Sequence, residues 1–185
     1  MRIIAGTAGS QPINVPRNLT RPTTDRVREA LFSSLGEKVI EARVLDLFAG
    51  SGSLGIEALS RGAASATFVD SSEEACHIIS ENLRKTCLNG GTVQKKSISA
   101  FLSSSTTQKS FDLVFADPPY ARDEEIAAQV EDLLKNAALQ RAISAQGILV
   151  MESFAKTPLP DSPLWEVAKE KTYGKTRVSF LTPQR

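Results

Sequence analysis

The sequence predicts an α/β protein: a mostly parallel sheet with a C-terminal antiparallel pair and a small N-terminal β-hairpin extension. Three observations predict it. From Arg43 onward, short apolar runs alternate with helix-length amphipathic stretches, the pattern of a parallel sheet covered on both faces. A glycine-rich turn joins the first of these runs to the helix after it. The tail holds two strand-like runs joined at Tyr173-Gly174, too close together for a crossover helix.

In order along the chain, Arg2 to Ala5 and Ile13 to Val15 read as strand-like, punctuated by Gly6, Gly9 and Pro12, and form the hairpin of a 1–20 extension. The remainder, 21–185, reads as one domain. A helix starts near Thr23, Thr24 or Asp25, places Val27, Ala30, Leu31 and Leu35 on one face, and stops at Gly36. Val44 to Ala49 is a buried strand, apolar except for Asp46. Leu54 to Arg61 is a short helix closed by Gly62, and Ala66 to Val69 is a strand ending at Asp70. Glu73 to Leu88 is a helix, Thr92 to Lys96 a weak strand, and Phe111 to Ala116 a clear one. Asp123 to Gln140 reads as a single amphipathic helix through Ile126, Val130, Leu133, Leu134 and Ala137. Gly147 to Met151 is another buried strand, and Trp165 to Thr172 and Thr176 to Leu181 form the final pair.

Composition narrows the class. The 185 residues are 41% hydrophobic and 23% charged, too apolar for a disordered chain. Cys76 and Cys87 lie eleven residues apart in one helical stretch, about 16 Å at a helical rise, too far to bridge. The cysteines imply a reducing compartment, and neither zinc spacing nor a signal peptide or membrane span is legible. A cytoplasmic location is the expectation. The net charge of +1 conceals polarity: residues 1–28 and 169–185 each carry +4, whereas 29–119 carry −3 and 120–168 carry −4. Two basic ends brought onto one face would form a phosphate-binding rim.

Two motifs carry chemistry. Asp46-Leu47-Phe48-Ala49-Gly50-Ser51-Gly52-Ser53-Leu54-Gly55 follows a strand and opens a helix, where glycines permit a tight turn and close approach of a ligand. Asp70 ends the next strand, where a carboxylate would hold a ribose diol. This turn alone does not separate NAD from S-adenosylmethionine (SAM). The second motif, Asp117-Pro118-Pro119-Tyr120, ends the strand from Phe111 and favours SAM. Neither proline offers a backbone donor, leaving a carboxylate, bare carbonyls and an aromatic ring. That set accepts hydrogen bonds from an amino group and stacks on a planar base. Asp117 and the Pro118 carbonyl would hold the two hydrogens of an exocyclic amine and aim its lone pair at a sulfonium methyl. His77, Trp165, Glu73-Glu74 and Glu152 read as structural.

With these motifs on view, the chain resembles the bacterial 16S rRNA (guanine-N2)-methyltransferases of the RsmD type. The resemblance runs from Arg2-Ile3-Ile4-Ala5-Gly6 through Arg21-Pro22-Thr23 and Val27-Arg28-Glu29-Ala30-Leu31-Phe32. It continues through Leu45 to Gly52, Glu57-Ala58-Leu59-Ser60-Arg61-Gly62-Ala63 and Asp117 to Tyr120, and reaches Tyr173-Gly174. It implies a Rossmann-like class I SAM-dependent methyltransferase that modifies the N2 amine of a guanine in small-subunit rRNA. Asp117, Pro118, Pro119 and Tyr120 would form the catalytic set. Arg21, Thr23, Asp46, Phe48, Ala49, Gly50, Ser51, Gly52, Asp70, Ser71, Ser97 and Ile98 would line the cofactor. Arg2, Arg17, Arg26, Lys175 and Arg177 would contact RNA, with no metal and a monomeric chain. The sequence departs from the family at three places: Asp70 stands where Glu is commoner, Ser97 stands where an Asp usually meets adenine, and the tip Thr7 to Gln11 lacks basic residues. A DNA adenine-N6 methyltransferase is the alternative, since it uses the same four-residue motif.

Overall fold

The computed structural model describes residues 1–16, 24–103, 111–118 and 123–184, and side chains within those ranges except at 123–127. Arg17, Arg21, Thr23, Pro119 and Tyr120 therefore lie outside the described residues. Helix α1 (Asp25–Leu35) is capped by the Thr24 hydroxyl, which accepts from Val27 N–H, and ends at Gly36 with φ +55°. The chain then alternates β1 (Arg43–Leu47), α2 (Ser53–Ser60), β2 (Ser65–Asp70), α3 (Glu73–Thr86) and β3 (Gly91–Lys95). It continues through α4 (Ile98–Leu102), β4 (Phe111–Ala116), α5 (Asp123–Lys135), α6 (Ala137–Ala142), β5 (Ile143–Phe154), β6 (Trp165–Tyr173) and β7 (Thr176–Pro183).

Among the described residues, seven strands form one sheet in the order β3-β2-β1-β4-β5-β7-β6. The first five are parallel to their neighbours, and β7 runs antiparallel to both β5 and β6. Alternation divides the buried side chains between two faces. Val44, Phe68, Phe115, Val150 and Phe180 meet α1, α2, α3 and the N-terminal segment. Leu45, Leu47, Val114, Leu149 and Leu181 meet α4 and the described core residues of α5 and α6.

Three expectations change. The single helix of 123–140 is two helices, because the Asn136 side chain accepts from Ala138 and Leu139 N–H and caps a new start. Strand β5 is much longer than Gly147 to Met151 and absorbs an irregularity opposite β4 between Phe111 and Leu113. The N-terminal strands reduce to a single bridge, Arg2 with Pro12. Ile3 and Ile13 N–H bond across that bridge to Gln11 O and Met1 O, and neighbouring N–H groups turn to side chains of α2 and α3. Ile4 and Ala5 donate to the buried Glu57 carboxylate at 2.7 and 3.1 Å, Ala8 donates to Ser60 Oγ, and Asn14 to Asn82 Oδ1. Gly6 makes this docking possible. It has φ +83°, and a Cβ there would lie 1.8 Å from the Ser60 carbonyl oxygen. Ile3, Ala8 and Ile13 share the core with α1 and α2.

Candidate active site at the carboxyl edge of the sheet

Parallel strands deliver their C-terminal ends to one edge, and the candidate residues gather there. Leu47 at the end of β1 pairs with Val69 of β2 on one side and Ala116 of β4 on the other. Asp70 and Asp117 each follow those partners by one residue and so flank the exit of β1, about two strand spacings (~10 Å) apart. Asp46, Phe68 and Phe115 form the register row below. Two residues on, Asp70 and Asp117 share that row's parity and belong to the same face as Asp46.

The turn after β1 is strongly bent. Phe48, Gly50 and Gly52 all have positive φ, at +57°, +54° and +76°. A phenylalanine in that region costs about 1–3 kcal/mol and persists only where its surroundings fix it. Ala49 N–H donates to Val69 O at 3.2 Å and Gly52 N–H to Ala49 O at 2.6 Å. Gly50 N–H donates to Asp70 Oδ2 at 2.9 Å, and Ser72 N–H to the other oxygen at 2.8 Å. Asp70 thus ties its own loop to the glycine turn, and its remaining lone pairs stay able to accept from a diol. Being one methylene shorter than Glu, it is held against the backbone by those two bonds.

Asp46 is buried at 2% exposure and accepts from Gly55 N–H at 2.9 Å. Burial, with the nearby Asp70 charge adding to it, pushes its carboxyl up to about 8 against the lowering effect of that hydrogen bond. No described basic side chain is paired with Asp46 or Asp70. At neutral pH Asp46 is therefore largely protonated, and it is Asp70 that favours an incoming cation. Ser71 begins the exposed connection to α3. The Ser97 hydroxyl caps α4, accepting from Ala100 N–H at 3.2 Å, and Ile98 is the first residue of that helix. Helix α4 itself escaped the sequence reading. Its one legible signal was Ser97 ahead of an apolar stretch.

The polar and basic candidates divide by environment. Arg2 pairs with Asp25 at 3.1 Å and keeps 63% side-chain exposure; Arg26 and Lys175 are exposed. Arg177 turns inward: Nη1 and Nη2 donate to the carbonyls of Thr157 and Ala155 at 2.6 and 2.7 Å, bracing the loop after β5. The residues read as structural include His77, exposed near Glu81, and Trp165, whose indole N–H donates to Leu134 O. Both cysteines are free. Among the buried polar residues of the helices around the turn, sequence reasoning missed Arg28, Glu57 and Asn82. Arg28 and Glu57 were visible only as members of a family motif, and Asn82 carried no signal at all.

The strand order, with an antiparallel β7 inserted beside β5 and a tight glycine turn after β1, defines the Rossmann-like fold of class I SAM-dependent methyltransferases. A family described as Conserved hypothetical protein 95 matches residues 1–182, and the chain belongs to that family. It is 35% identical over 189 residues to the Escherichia coli protein named ribosomal RNA small subunit methyltransferase D, covering 100% of this chain and 90% of that one. It is 33% identical over 184 residues to a putative rRNA methyltransferase of Bacillus subtilis, covering 97% of each. Among solved structures, a putative methyltransferase from Escherichia coli superposes with a TM-score of 0.82 at 32% identity, covering 100% of this chain and 98% of that one.

Proposed function

We propose that the protein transfers the methyl group of SAM to the exocyclic N2 amine of a guanine in 16S rRNA. The observation that carries this reading is the left-handed turn after β1, flanked on the adjacent strands by Asp70 and Asp117. A cofactor and an amine acceptor would meet across that exit. SAM fits the donor set: the turn presents backbone, and the carboxylates around it suit a ligand bearing a sulfonium and an ammonium. When bound, SAM supplies an activated methyl carbon and leaves as S-adenosylhomocysteine (SAH).

The chain's own residues do the rest. Asp70 holds the ribose hydroxyls while still gripping Gly50, and Asp46 braces the start of α2 through Gly55. Asp117 and the Pro118 carbonyl accept the two amine hydrogens, which orients the nitrogen lone pair. Tyr120 stacks on the target base, which must leave its helix or be unpaired to reach the edge. The names of the relatives favour rRNA over the DNA adenine-N6 alternative.

The rRNA-facing rim of this reading includes Arg2, Arg26 and Lys175, while Arg17, also expected to contact RNA, lies outside the described residues. Support for one surface comes from two links. Lys171 Nζ of β6 donates to Ser34 Oγ of α1 at 2.9 Å, and Arg28 Nη2 of α1 donates to Arg2 O at 2.6 Å. The protein acts as a cytoplasmic monomer in this reading; among the described residues no helix is long and apolar enough to cross a membrane. Incubation with labelled SAM and undermethylated small subunits, naked rRNA or genomic DNA tests the proposal. N2-methylguanosine in rRNA is expected, and N6-methyladenine in DNA with unlabelled rRNA overturns it.

A further inference from the structure

The buried amide of Asn82 on α3 is shared between two elements far apart in sequence. Its Oδ1 accepts from Asn14 N–H at 2.8 Å, and its Nδ2 donates to Asn14 O at 2.9 Å, so one side chain pairs with both polar groups of a hairpin residue. The second Nδ2 hydrogen goes to Ser51 O at 2.9 Å, inside the glycine turn. The side chain is fully buried, leaving no water to replace any of the three bonds. No other described side chain bonds both to the hairpin backbone and to the backbone of the turn. Met1 adds a side-chain contact from the same hairpin, its Sδ 3.8 Å from Ser51 Oγ.

The consequence for the turn is specific. Ser51 lies between Gly50 and Gly52, both in the left-handed region, so the peptide after Ser51 could point either way without steric penalty from its neighbours. Asn82 holds its carbonyl towards α3. The opposite end of that peptide, Gly52 N–H, is thereby kept on Ala49 O, which closes the bend. We propose that Asn82 is a positioning residue that sets the cofactor turn and couples it to the hairpin. The inference rests on the reading of that turn as the SAM site.

Three variants and one measurement on the unsubstituted protein test it. Asn82→Asp keeps the acceptor for Asn14 N–H but sets a carboxylate oxygen against two carbonyls. Asn82→Leu keeps the volume and loses all three bonds. Ser60→Ala removes hairpin bonds to Ala5 O and Ala8 N–H without touching the turn. Both Asn82 variants should raise the SAH Kd by calorimetry and the KM for SAM at least about tenfold, with kcat at saturating SAM reduced less than threefold. Ser60→Ala should leave the SAH Kd within twofold. A merely structural Asn82 would lower the active fraction, and so kcat, at unchanged KM and Kd; that pattern overturns the proposal. If neither Asn82 variant folds, amide exchange in the unsubstituted protein decides. SAH should slow exchange at Asn14 at least fivefold, and unchanged exchange there overturns the coupling. Unsubstituted protein that takes up no SAH at all overturns the cofactor reading and this proposal with it, whereas SAH binding unaffected by Asn82 overturns the proposal alone.

Discussion

The two edges of the parallel sheet treat their carboxylates in opposite ways. At the amino edge, Asp112 of β4 meets Arg43 of β1 in a two-pronged pair, Oδ2 to Nε and Oδ1 to Nη2, both at 2.9 Å. Hydrogen bonding from that guanidinium, outweighing partial burial, holds the Asp112 carboxyl down at about 2. At the carboxyl edge, Asp46 and Asp70 receive backbone N–H groups and no described cation. One edge is electrostatically finished by an ion pair, while at the other burial keeps Asp46 largely protonated at neutral pH and Asp70 faces the turn without a described cation.

The largest effect should follow from Asp117→Ala. Removing a preorganised contact to the reacting amine lowers kcat ~100-fold or more by the scale of such groups. SAH affinity measured by calorimetry should stay within twofold, because the turn after β1 is untouched. A variant with near-normal turnover would dissolve the contrast between the edges.

How legible this edge was in the sequence depended on the kind of signal. The strands announced themselves as apolar runs, the first with Asp46 inside it and the next two running into Asp70 and Asp117. The turn was legible because Gly50, Gly52 and Gly55 follow a strand directly. Phe48 in the left-handed region was not legible, since its conformation is imposed by its neighbours and by the register with β2. Asn136 splitting a helical pattern, and Asn82 bonding to Asn14 and Ser51, were hidden for a related reason. A side-chain amide has no periodicity, and its partners are 68 and 31 residues away in the second case. Basic residues were legible as charge, but not as Arg177 spent on loop carbonyls.

Next in size is Asp70→Ala. Losing a carboxylate that accepts from Gly50 and Ser72, and from a bound diol, should weaken SAH binding about 10- to 100-fold, the range of one hydrogen bond to a charged group. A change in rRNA affinity without one in SAH affinity would reassign Asp70 to the substrate side.

Asp46 sharpens the comparison through pH. Its carboxyl titrates near 8 in the folded chain and near 3.8 in an unfolded one, so the folded state binds the extra proton between those values. The stabilisation is therefore complete below about 4 and declines as pH rises towards 8. Urea midpoints at pH 5.5 and 8.5 should show that decline, and Asp46→Asn should reduce it. Asp112 has the opposite sign, with its contribution present above about 4 and lost as pH falls through about 2. The smallest effect belongs to Arg43→Ala. The pair is half exposed, so stability should change by under about 1 kcal/mol, with turnover unaltered.

Among the described residues, strand β6 joins the sheet only through β7, which follows it in the chain and slots between β6 and β5. During synthesis, therefore, β6 leaves the ribosome before its sole strand partner exists. Its exposed Glu166, Lys169 and Glu170 keep that waiting segment charged. Because β7 also completes the open flank of β5, the sheet finishes in one late step when Thr176–Pro183 emerges. A nascent chain stalled before that point should hold the glycine turn and still display two unpaired strands to the cell's chaperones.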